Sequence, residues 1–364
     1  MKTLPDHAGH TTAAPVPVRG RLLLGLLLTA LLGLATVTAS AAERYRLVPL
    51  EILPEQSSAV FARDLNDARQ VVGDARTRIG NRAFRWTPDQ GARDLGSVDG
   101  GPVRTTAQAI DAEGRVTGSS AREERFLPDQ AVLWPQPGRA RGLDGPGDGD
   151  RYSRGRALGP AGVVGSARDE SGERPFLWRE TGGLQLLTAA DGGPVFGGAL
   201  DLNRRGEIVG YAVTDAGPRP LRGTAETGLS RLPLGSANSG RAMRITGDGL
   251  TAGIIQLSGG FELALWNAAG ELRRPGLEGA EPRDLAADGT VVGRQLTAQG
   301  ARAFTWSETQ GLRHLETLIT ADSALPGLRL YSAEAINGHG EIVAYGRAAD
   351  ANAVRSYLLI PDVE

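Results

Sequence analysis

From residue 44 to the C-terminus, short apolar runs alternate with turns rich in Gly, Asn and Asp. The runs are built from Val, Ile, Leu and aromatic residues. Turn signals return roughly every eight to twelve residues, the spacing of an all-β chain. No stretch after residue 42 keeps the 3.6-residue period of an amphipathic helix.

One run recurs seven times: QVVGDA (70–75), RVTGSS (115–120), GVVGSA (162–167), EIVGYA (207–212), LTAGII (250–255), TVVGRQ (290–295) and EIVAYG (341–346). Its small residue is Gly73, Gly118, Gly165, Gly210, Gly253, Gly293 and finally Ala344, at spacings of 45, 47, 45, 43, 40 and 51. That period matches a four-stranded propeller blade. Each unit reads as four strands. The first resembles ALDLN (199–203) and leads through a turn such as NRRG (203–206) into the VVG strand. The third resembles RAFRW (82–86), and the fourth follows a Gly, as in GLRHL (311–315). Asn first and Gly last in the turn suit a type I turn closed by a left-handed residue.

The two ends of the chain predict how the ring closes. The last repeat stops after SYLLI (356–360), its third strand, while RYRLVPLEIL (44–53) is a strand with no blade of its own. Residues 44–50 are therefore expected as the outer strand of blade 7, giving a closed seven-bladed propeller of four-stranded blades with no sheet edge left open at the closure.

The unit A-x-x-I-N-x-x-G-x-I-V-G, followed by A-F-x-W and G-L-x-x-L strands, resembles the HAF-repeat family of extracellular bacterial proteins. AEAINGHGEIVAYG (333–346) and ALDLNRRGEIVGYA (199–212) carry the resemblance best, and it covers essentially the whole chain after the leader. It implies a repeated scaffold and names no catalytic residues. Two departures stand out: RPLRGT (219–224) lacks the Trp, and the first unit lacks the Gly before VVG.

The leader adds a location. Arg19 and Arg21 precede LLLGLLLTALLGLATVTA (22–39), and ASA (39–41) offers small residues for cleavage. This reads as a signal peptide over residues 1–41, with the propeller at 42–364 as a single domain, secreted or periplasmic. An uncleaved anchor is the alternative, the run being near the lower length limit for a span. Cleavage would remove Lys2, Arg19, Arg21 and Asp6, leaving 323 residues with 37 basic against 41 acidic. That balance gives no footprint for nucleic acid. Cysteine is absent, so disulfides and Cys metal sites are excluded. No cofactor, no membrane span after cleavage and a monomeric state are expected.

Candidate chemistry is sparse. Trp86, Trp134, Trp178, Trp266 and Trp306 share one slot of the third strand. They could be stacking platforms for sugars, but repetition in five units favours packing plugs. His314 is compared with Arg93, Gln185, Ser230 and Arg273 and reads as solvated, and His339 lies in a turn. Neither has a second ligand at metal spacing. Asp144, Asp148 and Asp150 in a Gly-rich loop form a weak Ca²⁺ candidate that lacks the EF-hand spacing, so a solvated turn is favoured.

The first strand is more informative. Three residues before its apolar anchor come Ala62, Ala107, Gly155, Ala199, Ala242, Pro282 and Ala333, small enough for the crowded ring axis. Two residues before the anchor come Arg63, Gln108, Arg156, Leu200, Met243, Arg283 and Glu334. Of these, Arg63, Gln108, Arg156, Arg283 and Glu334 are the ligand-binding candidates, a mostly cationic ring at the channel mouth suited to an anionic or hydroxyl-rich ligand. Salt-bridged, water-facing side chains are the plainer alternative. The expected function is an exported non-catalytic binding propeller for a glycan or a cell-envelope partner. The rivals are a hydrolase or lyase acting on extracellular polysaccharide, which needs two converging carboxylates with one pKa raised, and a periplasmic scaffold for envelope assembly.

Overall fold

The computed structural model describes residues 44–362 apart from 52–57, 79, 102, 122–128 and 144–151. The leader and the loop carrying Asp144, Asp148 and Asp150 lie outside the described residues. Seven four-stranded antiparallel sheets form a β-propeller. The innermost strands, in ring order, are Ala59–Leu65, Thr105–Ile110, Ser153–Gly159, Gly197–Leu202, Ser239–Ile245, Ala280–Leu285 and Arg329–Ile336. Among the described residues no helix is long and apolar enough to cross a membrane.

The ring closes as the two chain ends predict. Tyr45–Pro49 pairs antiparallel with Arg355–Pro361, from Tyr45↔Pro361 to Pro49↔Tyr357, as the fourth strand of blade 7. Tyr45, Leu47 and Leu50 are buried in this seam. Side chains fasten blade 7 to blade 1 as well. Asn337 Nδ2 donates to Asn66 O at 3.3 Å, Gly338 N donates to Asp67 Oδ1 at 2.7 Å, and Arg69 pairs with buried Glu341 at 2.5 Å.

The recurring VVG glycine has a steric cause. Each inner strand carries a β-bulge at one slot, centred on Arg63, Gln108, Arg156, Leu200, Met243, Arg283 and Glu334. The inner-strand carbonyl two residues before the bulge then sits over the second strand. A Cβ on Gly73 would lie 2.0 Å from Phe61 O, and one on Gly118 1.9 Å from Thr106 O. Blade 7 carries Ala344 in this slot, and its inner strand has a second bulge between Leu330 and Ser332, which reshapes the backbone opposite that methyl.

The turn after each inner strand ends on a left-handed Gly in five blades: Gly114, Gly206, Gly249, Gly289 and Gly340. In blade 1 the slot holds Arg69 at φ 55°, the one non-Gly residue at positive φ among the described residues. The Trp slot behaves as a plug. Trp134, Trp178, Trp266 and Trp306 are buried, with Trp86 half-buried. Trp134 Nε1 donates to Gly96 O at 3.1 Å and Trp266 Nε1 to Pro233 O at 2.8 Å, each in the connector that enters its blade. Blade 4 has Gly223 in this slot. There backbone takes the place of the indole, since a Cβ on Gly223 would lie 2.0 Å from Gly228 O.

Candidate functional site

The bulge decides what faces the ring axis. It presents the bulged residue and the one after it to the same cavity, of about 90 Å³. Arg63, Gln108, Arg156 and Glu334 line this cavity, and Asp64, Asp201, Asp284 and Arg244 join them from the following slot. Arg283 reaches the group through Glu334, its Nε 3.8 Å from Glu334 Oε1.

The three aspartates are inter-blade pins. Asp64 accepts from Leu65 N at 2.8 Å and from Ile110 N of blade 2 at 2.7 Å. Asp201 accepts from Leu202 N and Ile245 N of blade 5, both at 2.9 Å, and Asp284 from Leu285 N and Ile336 N of blade 7, both at 2.8 Å. Each carboxylate thus joins its own strand to the next blade. Burial pushes Asp64 up to about 7, with Asp284 adding repulsion. Burial likewise pushes Asp201 up to about 6 against the opposing charge of Arg244, and raises Asp284. Arg244 serves as their shared counter-charge, its Nε 3.8 Å from Asp284 Oδ1.

The ring is not uniformly cationic. On blades 6, 7 and 1 the charges cancel in a chain. Arg63 pairs with Asp74 at 3.3 Å and Glu334 at 3.8 Å, and Arg283 pairs with Glu281 at 3.3 Å as well as with Glu334. Glu334 also accepts from Ser332 Oγ at 2.5 Å. For Arg63 and Arg283 the geometry is therefore the salt-bridged alternative. Arg156 differs, because no carboxylate pairs with it among the described residues. Burial, then the neighbouring Arg154, lowers its pKa.

No family model and no curated protein sequence matches the chain. Solved structures show the fold. A streptogramin B lyase is similar at TM-score 0.57 and 10% identity, over 88% of this chain and 98% of that one. The β-propeller domain of the Trilobed protease from Pyrococcus furiosus, described as an open velcro topology, is similar at TM-score 0.55 and 9% identity, over 85% and 95%. A puromycin hydrolase is similar at TM-score 0.54 and 16% identity, over 80% of this chain and 50% of that one. Such identities carry the architecture alone.

Outside the axis two readings change. Strand register places His314 opposite Phe304, the slot of Asp94 and not of Arg93. It is half-buried, with Nε2 3.0 Å from Gln295 Oε1, and burial together with Arg302 lowers its pKa. The comparison of His314 with Arg93 is thus one residue out of register, and Arg313 is the residue that occupies the Arg93 slot. A larger cleft of about 750 Å³ lies between blades 5 and 6, lined by Leu257, Phe261, Leu296 and Glu262. Glu262 is buried and already paired with Arg274. Exposed Glu278 is the other acid in its lining, so charged groups are sparse there and the axis is the stronger candidate.

Proposed function

We propose that this chain is an exported binding propeller, without catalysis of its own, that holds a glycan or a cell-envelope partner on one face of the ring. The leader motivates export, and the repeat's resemblance to the HAF-repeat family is in keeping with an extracellular role. One observation carries the binding reading. The axial carboxylates are engaged in joining blades, while Arg154 and Arg156 on blade 3 and Arg241 on blade 5 have no carboxylate partner among the described residues. Positively charged donors left free on a rigid rim suit recognition of hydroxyl or anionic groups. Affinity electrophoresis of residues 42–364 through gels containing bacterial or plant polysaccharides tests this. Retardation by at least one polymer is expected, and unaltered mobility in every gel would overturn the glycan reading.

A second reading has its own observation. Three buried carboxyls share the axial cavity, with Asp64 raised to about 7 and Asp201 to about 6, as a general acid requires. Both oxygens of each already accept a backbone N–H, which favours the pin role. A hydrolase or lyase built on them would release product, and Asp64→Asn would abolish that release.

A further inference from the structure

The slot four residues before each inner-strand anchor reads Phe61, Thr106, Arg154, Gly198, Arg241, Glu281 and Ser332 around the ring. Blades 3, 4 and 5 therefore present Arg, Gly, Arg. Neither arginine makes an ion pair or hydrogen bond among the described residues, and Arg154 Nε is buried with no hydrogen-bond partner. Their neighbours are tyrosines. The Arg154 guanidinium lies 5.4 Å from the Tyr152 ring centroid, and that of Arg241 4.6 Å from the Tyr211 ring centroid.

Tyr211 ties these groups into one place. It pairs with Gly198 across the blade 4 sheet, and a Cβ on Gly198 would meet its ring at 3.5 Å, an ordinary contact. Gly198 is thus not demanded by a steric clash. Its effect is that the inner strand of blade 4 puts no side chain between the Arg154 and Arg241 slots, the space there being bordered by the Tyr211 ring. Arg156 lies close enough to feel both Arg154 and the Tyr211 phenol. Of nearby acids, Asp129 is occupied by Arg104 at 2.6 Å, and Glu173 interacts with Arg156 without forming an ion pair. On the opposite side of the ring, the corresponding Glu281 is neutralised by Arg294 at 2.7 Å and Arg283.

A second, independent feature borders this gap. Three large hydrophobic side chains are exposed among the described residues, and two of them, Phe196 and Val213, flank Gly198 and Tyr211 on blade 4. Val213 N donates to Phe196 O at 2.7 Å, so the two are held side by side. An aromatic face next to a cationic gap is the arrangement that takes a sugar ring with a charged substituent.

We propose that the rim of blades 3–5 binds an acidic oligosaccharide, with Arg154 and Arg241 clasping its anionic substituent across Gly198 and Phe196 stacking on an adjacent ring. The proposal rests on the glycan-binding reading and narrows it to chains bearing carboxylate, sulfate or phosphate. Calorimetric titration of residues 42–364 with oligogalacturonate, chondroitin sulfate oligomers, a teichoic acid fragment, carboxyl-reduced oligogalacturonate and inorganic sulfate tests it. At least one acidic oligomer should bind about tenfold more tightly than the neutral one. Arg241→Ala and Arg154→Gln should each remove about tenfold, and Arg273→Ala, on the outer strand of blade 5 and paired with Glu308, should leave affinity unchanged. Melting curves of the variants confirm that they fold, and exposed Arg241 provides the variant least able to disturb the fold. Equal affinity for neutral and acidic oligomers, or binding indifferent to Arg154 and Arg241, would overturn the acidic site while leaving glycan binding intact. Binding of inorganic sulfate that depends on both arginines, with no oligomer bound, would keep the anion site and refute the glycan. No binding of any probe would refute both.

Discussion

Arg69→Gly should destabilise the protein even though it restores the residue that the repeat prefers. Arg69 holds φ 55° where five other blades use Gly, and such strain costs about 1 kcal/mol that Gly would relieve. Against this stands its pairing with Glu341, whose side chain is 1% exposed, at 2.5 Å across the seam of blades 7 and 1. Removing one partner of a buried pair costs about 3–5 kcal/mol. The Arg69 side chain is 48% exposed, so the cost here is reduced to roughly 2–3 kcal/mol by solvent screening. Asn337 Nδ2 still donates to Glu341 at 2.8 Å, but no cation remains. The net loss is about 1–2 kcal/mol. At roughly 1.5 °C per kcal/mol for a chain of this length, Tm should fall by about 2–3 °C. Differential scanning calorimetry reads this directly, and adding Glu341→Gln to Arg69→Gly should recover most of the loss. A melting temperature at or above that of the wild type for Arg69→Gly alone would refute the reasoning, because strain would then outweigh the ion pair.

Other consequences follow from the same geometry. Deleting residues 43–53 removes three buried side chains, Tyr45, Leu47 and Leu50, and the outer strand of blade 7, so the melt should drop by well over 5 °C. An unaltered melt would contradict closure through that strand. Asp201 has a native pKa of about 6 against an unfolded value near 3.8, so the native state binds more protons between those values and gains stability as pH falls. From pH 7.5 to pH 5 this amounts to about 1.4 kcal/mol, so the wild-type Tm should rise about 2 °C more than that of Asp201→Asn, and parallel slopes would dismiss the shift. Gly223→Trp, which restores the indole of the other blades, drives a Cβ to 2.0 Å from Gly228 O and should lower soluble yield and melting temperature. A variant as stable as the wild type would show that the blade 4 backbone yields there.

Much of the fold was legible because the ring repeats its solutions. The second-strand glycine recurs because an inner-strand carbonyl sits over it, and the Trp because each blade must seal the connector that enters it. Closure was legible from one surplus strand and one missing strand. The axial chemistry was only half legible. Alternation along a regular strand puts one residue in two toward the axis, so Arg63 and Arg156 were expected there and Asp64 and Asp201 were not. The bulge breaks that alternation and presents both slots. A signal was available, since Asp directly before the apolar anchor in blades 1, 4 and 6 is unusual in a strand. Arg154, Gly198 and Arg241 escaped because their meaning lies between blades, where neighbours in space are more than forty residues apart in sequence.

On the proposed function the ring face holds its ligand without changing it. Incubating residues 42–364 with a polysaccharide that retards the protein, then measuring the polymer's chain length and newly formed reducing ends, tests it most directly. Retention with chain length unchanged is the predicted result. Progressive shortening that disappears in Asp64→Asn or Asp201→Asn would contradict it and make the axial carboxyls catalytic.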